Sequence, residues 1–178
     1  KTKEKNKLFQ IYKMVTELNM LIPSMPIQKV EIPEEKREAL YFGKTRTIAI
    51  GLDPHLFTFF VAHEMGHAIF RVFLGGKVGS KEEFDSVKDA LWQKIYCLSL
   101  ESRSYKIVHD AEYVGDSVMG SPGRNASELF SSSLMIYRLY PDRFIENILD
   151  PDTPETTRRL GKLIFLYLRD KVFGKVFS

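Results

Sequence analysis

Between Lys7 and Ile22 the apolar residues Leu8, Ile11, Tyr12, Val15, Leu18 and Ile22 recur at helical spacing, which predicts an amphipathic helix closed by Pro23 and Pro26. The period then shortens. "IQKVEIP" and "ALYFGKTRTIAIGLD" hold short, alternating, β-rich pieces, with "GKT" placed to turn Tyr41 and Phe42 back toward Thr47 to Ile50, so a small antiparallel or mixed sheet is expected. Asp53-Pro54 then supplies an N-cap with proline at the first helical position, and Gly75-Gly76 supplies a stop. One long helix is predicted between them. Its apolar residues run nearly all round the wheel, which places it in the middle of the fold.

Lys81 to about Val108 reads as one or two helices with Phe84, Val87, Leu91, Ile95 and Leu98 at core spacing. "YVGDSVMGSPGRN" is the most turn-rich stretch of the chain and predicts an irregular loop. Asn125 opens a helix over Ala126 to Tyr140 that Pro141 closes, and after "DPDTPE" a last helix is predicted from about Thr156 to Phe173. Helix, small sheet and then helices is an α+β order, expected as one domain over residues 1–178, with sheet and central helix in about 1–80 and a helical half in 81–178.

Composition narrows the function classes. The chain has 178 residues, 44% of them hydrophobic, enough for a core without covalent staples. Its net charge of +3 is mild and the basic residues are interspersed with acidic ones, so nucleic-acid binding gets little support. The single Cys97 excludes an internal disulfide framework, argues against a thiolate metal site and is expected to be a small core residue. No apolar run approaches the roughly 20 residues needed to span a bilayer. The sequence starts at Lys1 and not at a methionine, which leaves room for a signal peptide or an upstream domain and leaves the compartment open.

Against this background "VAHEMGHAIF" stands out, because it puts two histidines and a glutamate into an oily helix. His63 and His67, four residues apart, project from one face about a turn apart and can converge on one ion. Glu64 is turned roughly 100° from His63 and can reach a water on the metal as a general base without ligating. Random placement in this composition gives the pattern in roughly one sequence in 150, so context has to decide. The alternative is a pair of satisfied core histidines. Three such groups in a buried helix cost several kcal/mol unless partnered, and a metal satisfies two at once. Gly66 adds weight: a mid-helix glycine loses about 1 kcal/mol against alanine and marks something packed close to the backbone.

A catalytic zinc needs a third protein ligand. The metzincin pattern would put glycine and histidine where this chain has Phe70 and Phe73, so that class is excluded. About twenty residues on, where some zincins carry a glutamate, stand Ser86 and Val87, and the nearby Asp85 and Asp89 read as a solvated helix face. Glu128 in "NASELFSSSLMIYRLYP" is the better candidate, since Ala126, Ser131 and Ser132 would let its helix approach the first closely. The bland reading is a capping box in which Glu128 reaches back to the Asn125 amide.

"HEMGHA", a long helical insert, "SELFSSSLMIY" and "PETTRRLGKLIFLYL" together resemble the gluzincin metallopeptidases related to the anthrax lethal factor catalytic domain and the clostridial Pro-Pro endopeptidases, over about Tyr41 to Phe173. The resemblance implies a zincin-like fold, a zinc endopeptidase activity, His63, His67 and Glu128 as ligands, Glu64 as base, and an edge strand receiving extended peptide or protein substrate. That strand is expected at Thr47, Ile48, Ala49 and Ile50, pairing with substrate through main-chain hydrogen bonds. The chain also departs from the family: Phe130-Ser131-Ser132 stands where phenylalanine-alanine-glutamate is usual, and no tyrosine lies just before the ligand glutamate. Tyr113 is the nearest upstream tyrosine for stabilising the oxyanion; His109 and Arg124 are further polar groups of that region, and His55 is expected at the surface. Two rivals follow: a zinc-binding interaction domain that lost catalysis, and a narrow-specificity regulatory or self-processing peptidase.

Overall fold

The computed structural model describes residues 2–31, 39–50, 57–75, 87–102 and 126–177. Among them the order is α1 (Thr2–Asn19), β1 (Lys29–Glu31), β2 (Leu40–Phe42), β3 (Thr47–Ala49), α2 (Phe57–Leu74), α3 (Ala90–Ser102), α4 (Ala126–Leu139), α5 (Pro141–Leu149) and α6 (Glu155–Tyr167), which runs into a π-helical turn at Leu168–Phe173. It is a mixed α/β fold, mostly helical, with one small mixed sheet.

In α1 the buried stripe is Ile11, Met14 and Leu18, continued by Ile22 beyond the helix, whereas Leu8 and Tyr12 face solvent. The helix ends at Asn19, short of the expected Ile22. Asn19 turns its side chain to the chain coming back, accepting from the Ile27 N–H at 2.7 Å and donating to the Ile27 carbonyl at 3.0 Å.

The sheet is of the mixed kind. Its strand order is β1-β3-β2, with β1 parallel to β3 (Val30 opposite Ile48) and β2 antiparallel to β3 (Tyr41 opposite Ile48). The turn after Phe42 was read correctly, and Arg46 takes a positive φ of 51° in it. What the alternation did not disclose is the second partner, so β3 is the central strand and β2 an outer one.

α2 is buried without interruption from Phe60 to Phe70, as its all-round apolar pattern predicts. Gly75 closes it at φ +67°, a conformation in which glycine escapes the Cβ penalty. The expected Asp53 cap lies outside the described residues. Against α2 packs α4, the heaviest contact between elements in the described fold, and α1 covers another flank.

α3 buries Trp92, Ile95, Tyr96 and Ser99, one stripe at i, i+3, i+4 and i+7. Leu91 and Cys97 fall off that stripe and are exposed, correcting the core positions expected for both. Asp89 is no solvated helix face: its Oδ1 accepts the Trp92 backbone N–H at 2.8 Å and caps α3. Pro141 closes α4 but also opens α5, which the sequence reading left out. No helix of the described residues is long and apolar enough to cross a membrane.

Candidate metal centre

α2 and α4 touch at their smallest residues. A Cβ built on Gly66 would lie 2.5 Å from Ser131 Cα and 2.9 Å from its Cβ and Oγ, so only glycine admits this approach. The close packing expected of Gly66, Ala126, Ser131 and Ser132 is present, and it brings the first turn of α4 over the histidines of α2.

There the imidazoles meet Glu128. His63 Nε2 lies 3.2 Å from Glu128 Oε2 and His67 Nε2 lies 3.5 Å from Oε1, with both histidines buried and the glutamate side chain 17% exposed. The two rings stand edge to face at 83°, centroids 4.9 Å apart. One donor atom from each of the three residues falls within 4.8 Å of the others, close enough to hold a metal ion. Asn125, the expected cap, lies outside the described residues.

Electrostatics keep these groups ready. Burial, and the charge of His63, push the His67 pKa down to about 3 against the opposing pull of Glu128, so His67 is a neutral donor at ordinary pH. Burial pushes Glu64 up to about 7; His63 opposes this, the Glu128 charge adds to it, and a hydrogen bond from the Tyr41 backbone N–H opposes it. A carboxyl poised there can both take and return a proton near neutrality. His63 Nδ1, His67 Nδ1, Ser131 Oγ and Ser132 Oγ are buried with no hydrogen-bond partner among the described residues.

The expected substrate strand is corrected. Ile48, Ala49 and Ile50 are fully buried, Thr47 is nearly so, and both edges of β3 are taken by β1 and β2. No peptide can add there, because the main-chain groups are already paired. β2 stands beside the site, and its Tyr41 backbone N–H hydrogen-bonds Glu64. Sequence reasoning missed Tyr41 because its contribution is main-chain, to which residue type gives no clue. The Tyr41 ring in turn packs toward α2: burial raises its hydroxyl pKa, while Arg71, which also lies against Gly43, pulls it down through charge and a hydrogen bond. Tyr113, His109, Arg124, His55 and Asp85 lie outside the described residues.

Compared with known protein families, with curated proteins and with solved structures, the chain finds no match.

Proposed function

We propose that this chain is a zinc-dependent endopeptidase of the gluzincin type, with a zincin-like arrangement of its sheet and helices. The observation that carries the reading is the convergence of His63, His67 and the Glu128 carboxylate, from two helices remote in sequence, beside a glutamate with a pKa near 7. The donor set suits zinc. Two imidazole nitrogens and a carboxylate oxygen are the ligand types of a catalytic zinc, and one such atom from each of the three residues lies within 4.8 Å of the others. A carboxylate facing two buried imidazoles, one of them held neutral, also leaves negative charge that a divalent cation would neutralise.

Zinc bound there would supply Lewis acidity, acidifying a water and polarising a peptide carbonyl. Glu64 takes the proton of the attacking water and delivers it to the leaving amine. Tyr41 orients Glu64 through its backbone N–H, which sets β2, Leu40–Phe42, beside the carboxyl that an extended peptide or protein substrate has to reach. Glu64 is itself buried, 7% exposed, which keeps bulk water from its carboxyl.

The second reading is a zinc-binding interaction domain without turnover. It draws on Ser131 and Ser132, hydroxyls where a carboxylate would orient a ligating imidazole. The decisive experiment is metal analysis of wild type and Glu128→Ala after dialysis against chelator, followed by cleavage of a diverse peptide library by wild type and Glu64→Gln. About one zinc per chain, lost in E128A, supports the site. Cleavage that falls about 1,000-fold in E64Q at unchanged zinc content supports the mechanism. Zinc with no cut peptide selects the interaction domain, and wild type that takes up no zinc when it is offered sinks both.

A further inference from the structure

We infer that Trp92 is a positioning residue for the metal centre: it braces the first turn of α4 so that Glu128 is held against the two imidazoles. The inference rests on the zinc site proposed above.

Glu128 sits in the opening turn of α4, where the backbone N–H groups have no acceptor within the helix and the turn depends on contacts from outside it. Trp92 grips that turn at both of its ends. Its indole Nε1–H donates to the Ala126 carbonyl at 3.3 Å, two residues before Glu128, and its ring meets Phe130 edge to face, centroids 5.1 Å apart at 80°, two residues after. The indole is fully buried, so its one donor must be satisfied inside the protein.

Trp92 is itself fixed from behind. Its backbone N–H is held by Asp89 Oδ1, Asp89 also accepts a hydrogen bond from the Tyr167 hydroxyl, and the Tyr167 ring lies 5.1 Å from the indole. Three helices, α3, α4 and α6, therefore meet at a single side chain that ends on the turn carrying a ligand. A tryptophan present only to fill the core would leave the ligand's mobility unchanged when its N–H is lost.

Trp92→Phe removes the donor and keeps an aromatic ring. Partners that hold a ligand from outside are worth about 10–100-fold in metal affinity. The expected result is zinc affinity at least about 10-fold weaker, measured by chelator competition. Phe144→Leu, a change in the fully buried core beneath α5, serves as a control of similar destabilisation and should stay within about twofold of wild type. An unchanged affinity in W92F, or an equal loss in F144L, overturns the brace and leaves the zinc site standing. A wild type that binds no zinc overturns both. Because Trp92 is the only tryptophan of the chain, its fluorescence gives a second readout that needs no variant at that position. Zinc titrated into wild type should shift the emission with a midpoint matching binding, and the shift should vanish in E128A; stoichiometric zinc uptake with no change in emission overturns the brace even if W92F does not fold.

Discussion

The two ends of α4 set their polar side chains in different surroundings. At the N-terminal end, Ser131 Oγ and Ser132 Oγ have no hydrogen-bond partner among the described residues, and the Glu128 carboxylate points at the two imidazoles of α2. At the C-terminal end the fold closes on itself. The Tyr137 hydroxyl donates to the Lys175 carbonyl at 2.6 Å, and Arg138 and Lys175 clamp Glu17 of α1 at 2.7 and 3.2 Å. Phe165, Phe173 and Phe177 surround the Tyr137 ring at 5.1–5.9 Å between centroids. Buried polar groups are costly unless paired. α4 thus carries the candidate metal cluster at one end and a clamp to α1 and the C-terminal segment at the other, a division along its length.

The strongest way to break that division is at Gly66. Gly66→Ala drives a methyl into the Ser131 backbone, which no side-chain rotation can relieve, so α2 and α4 must move apart. A stability loss of about 1–3 kcal/mol is expected, the range for overpacking, with zinc affinity falling at least about 10-fold because Glu128 moves with α4. Thermal melts of metal-free protein and chelator competition read the two effects. Wild-type affinity in G66A would mean that the helix contact does not set the ligand geometry.

The site end was legible in the sequence because its chemistry is local. The spacing of His63, Glu64 and His67 is fixed within one helix, and Gly66 announces a close neighbour. Glu128 was legible only as a choice between a helix cap and a ligand; the fold sets it against the imidazoles, and the Asn125 amide it would cap lies outside the described residues. Strand pairing was not legible. Strands of three residues carry too little alternation to name their partners, so the sequence presents Thr47–Ile50 as an edge although β1 lies alongside it. Cys97 reads as core by residue type and Leu91 by a spacing out of phase with the real stripe, whereas Trp92, Ile95, Tyr96 and Ser99 are what α3 buries. Pro141 was read as a terminator, and the same fixed φ that stops α4 starts α5.

Proton linkage sharpens the contrast at the site end. His67 titrates near 3 in the fold against 6.5 ordinarily, so between those values the unfolded chain binds a proton that the folded one refuses. Its contribution to stability is complete above pH 6.5 and is lost as pH falls toward 3. Glu64 has the opposite sign: raised from 4.5 to about 7, it contributes fully below pH 4.5 and loses that contribution as pH rises through 7. In metal-free wild type the two slopes, each up to about 1.4 kcal/mol per pH unit, oppose each other between 4.5 and 6.5. Relative to wild type, E64Q should therefore lose stability as pH falls through that window, and His67→Gln should gain it. Urea melts across the series test this, and parallel slopes in the two variants would contradict the assignment.

The smallest effect is expected at the other end of α4, and there the expected outcome is a separation of two quantities. Burial would raise the Glu17 carboxyl, but hydrogen bonds and charge from Arg138 and Lys175 outweigh it and hold the pKa below 4.5. The clamp thus stabilises the fold above pH 4.5 and is lost as pH falls through the depressed value. Glu17 and Arg138 keep about a quarter of their side-chain surface in water, so screening limits the pair to about 1 kcal/mol. Glu17→Gln should cost about that much at pH 7, and the deficit should shrink below pH 4.5, where wild type loses the same charge. Zinc affinity should not move, because nothing in the clamp touches the first turn of α4. A metal affinity that follows Glu17 would show the helix acting as one rigid lever instead of two independent ends.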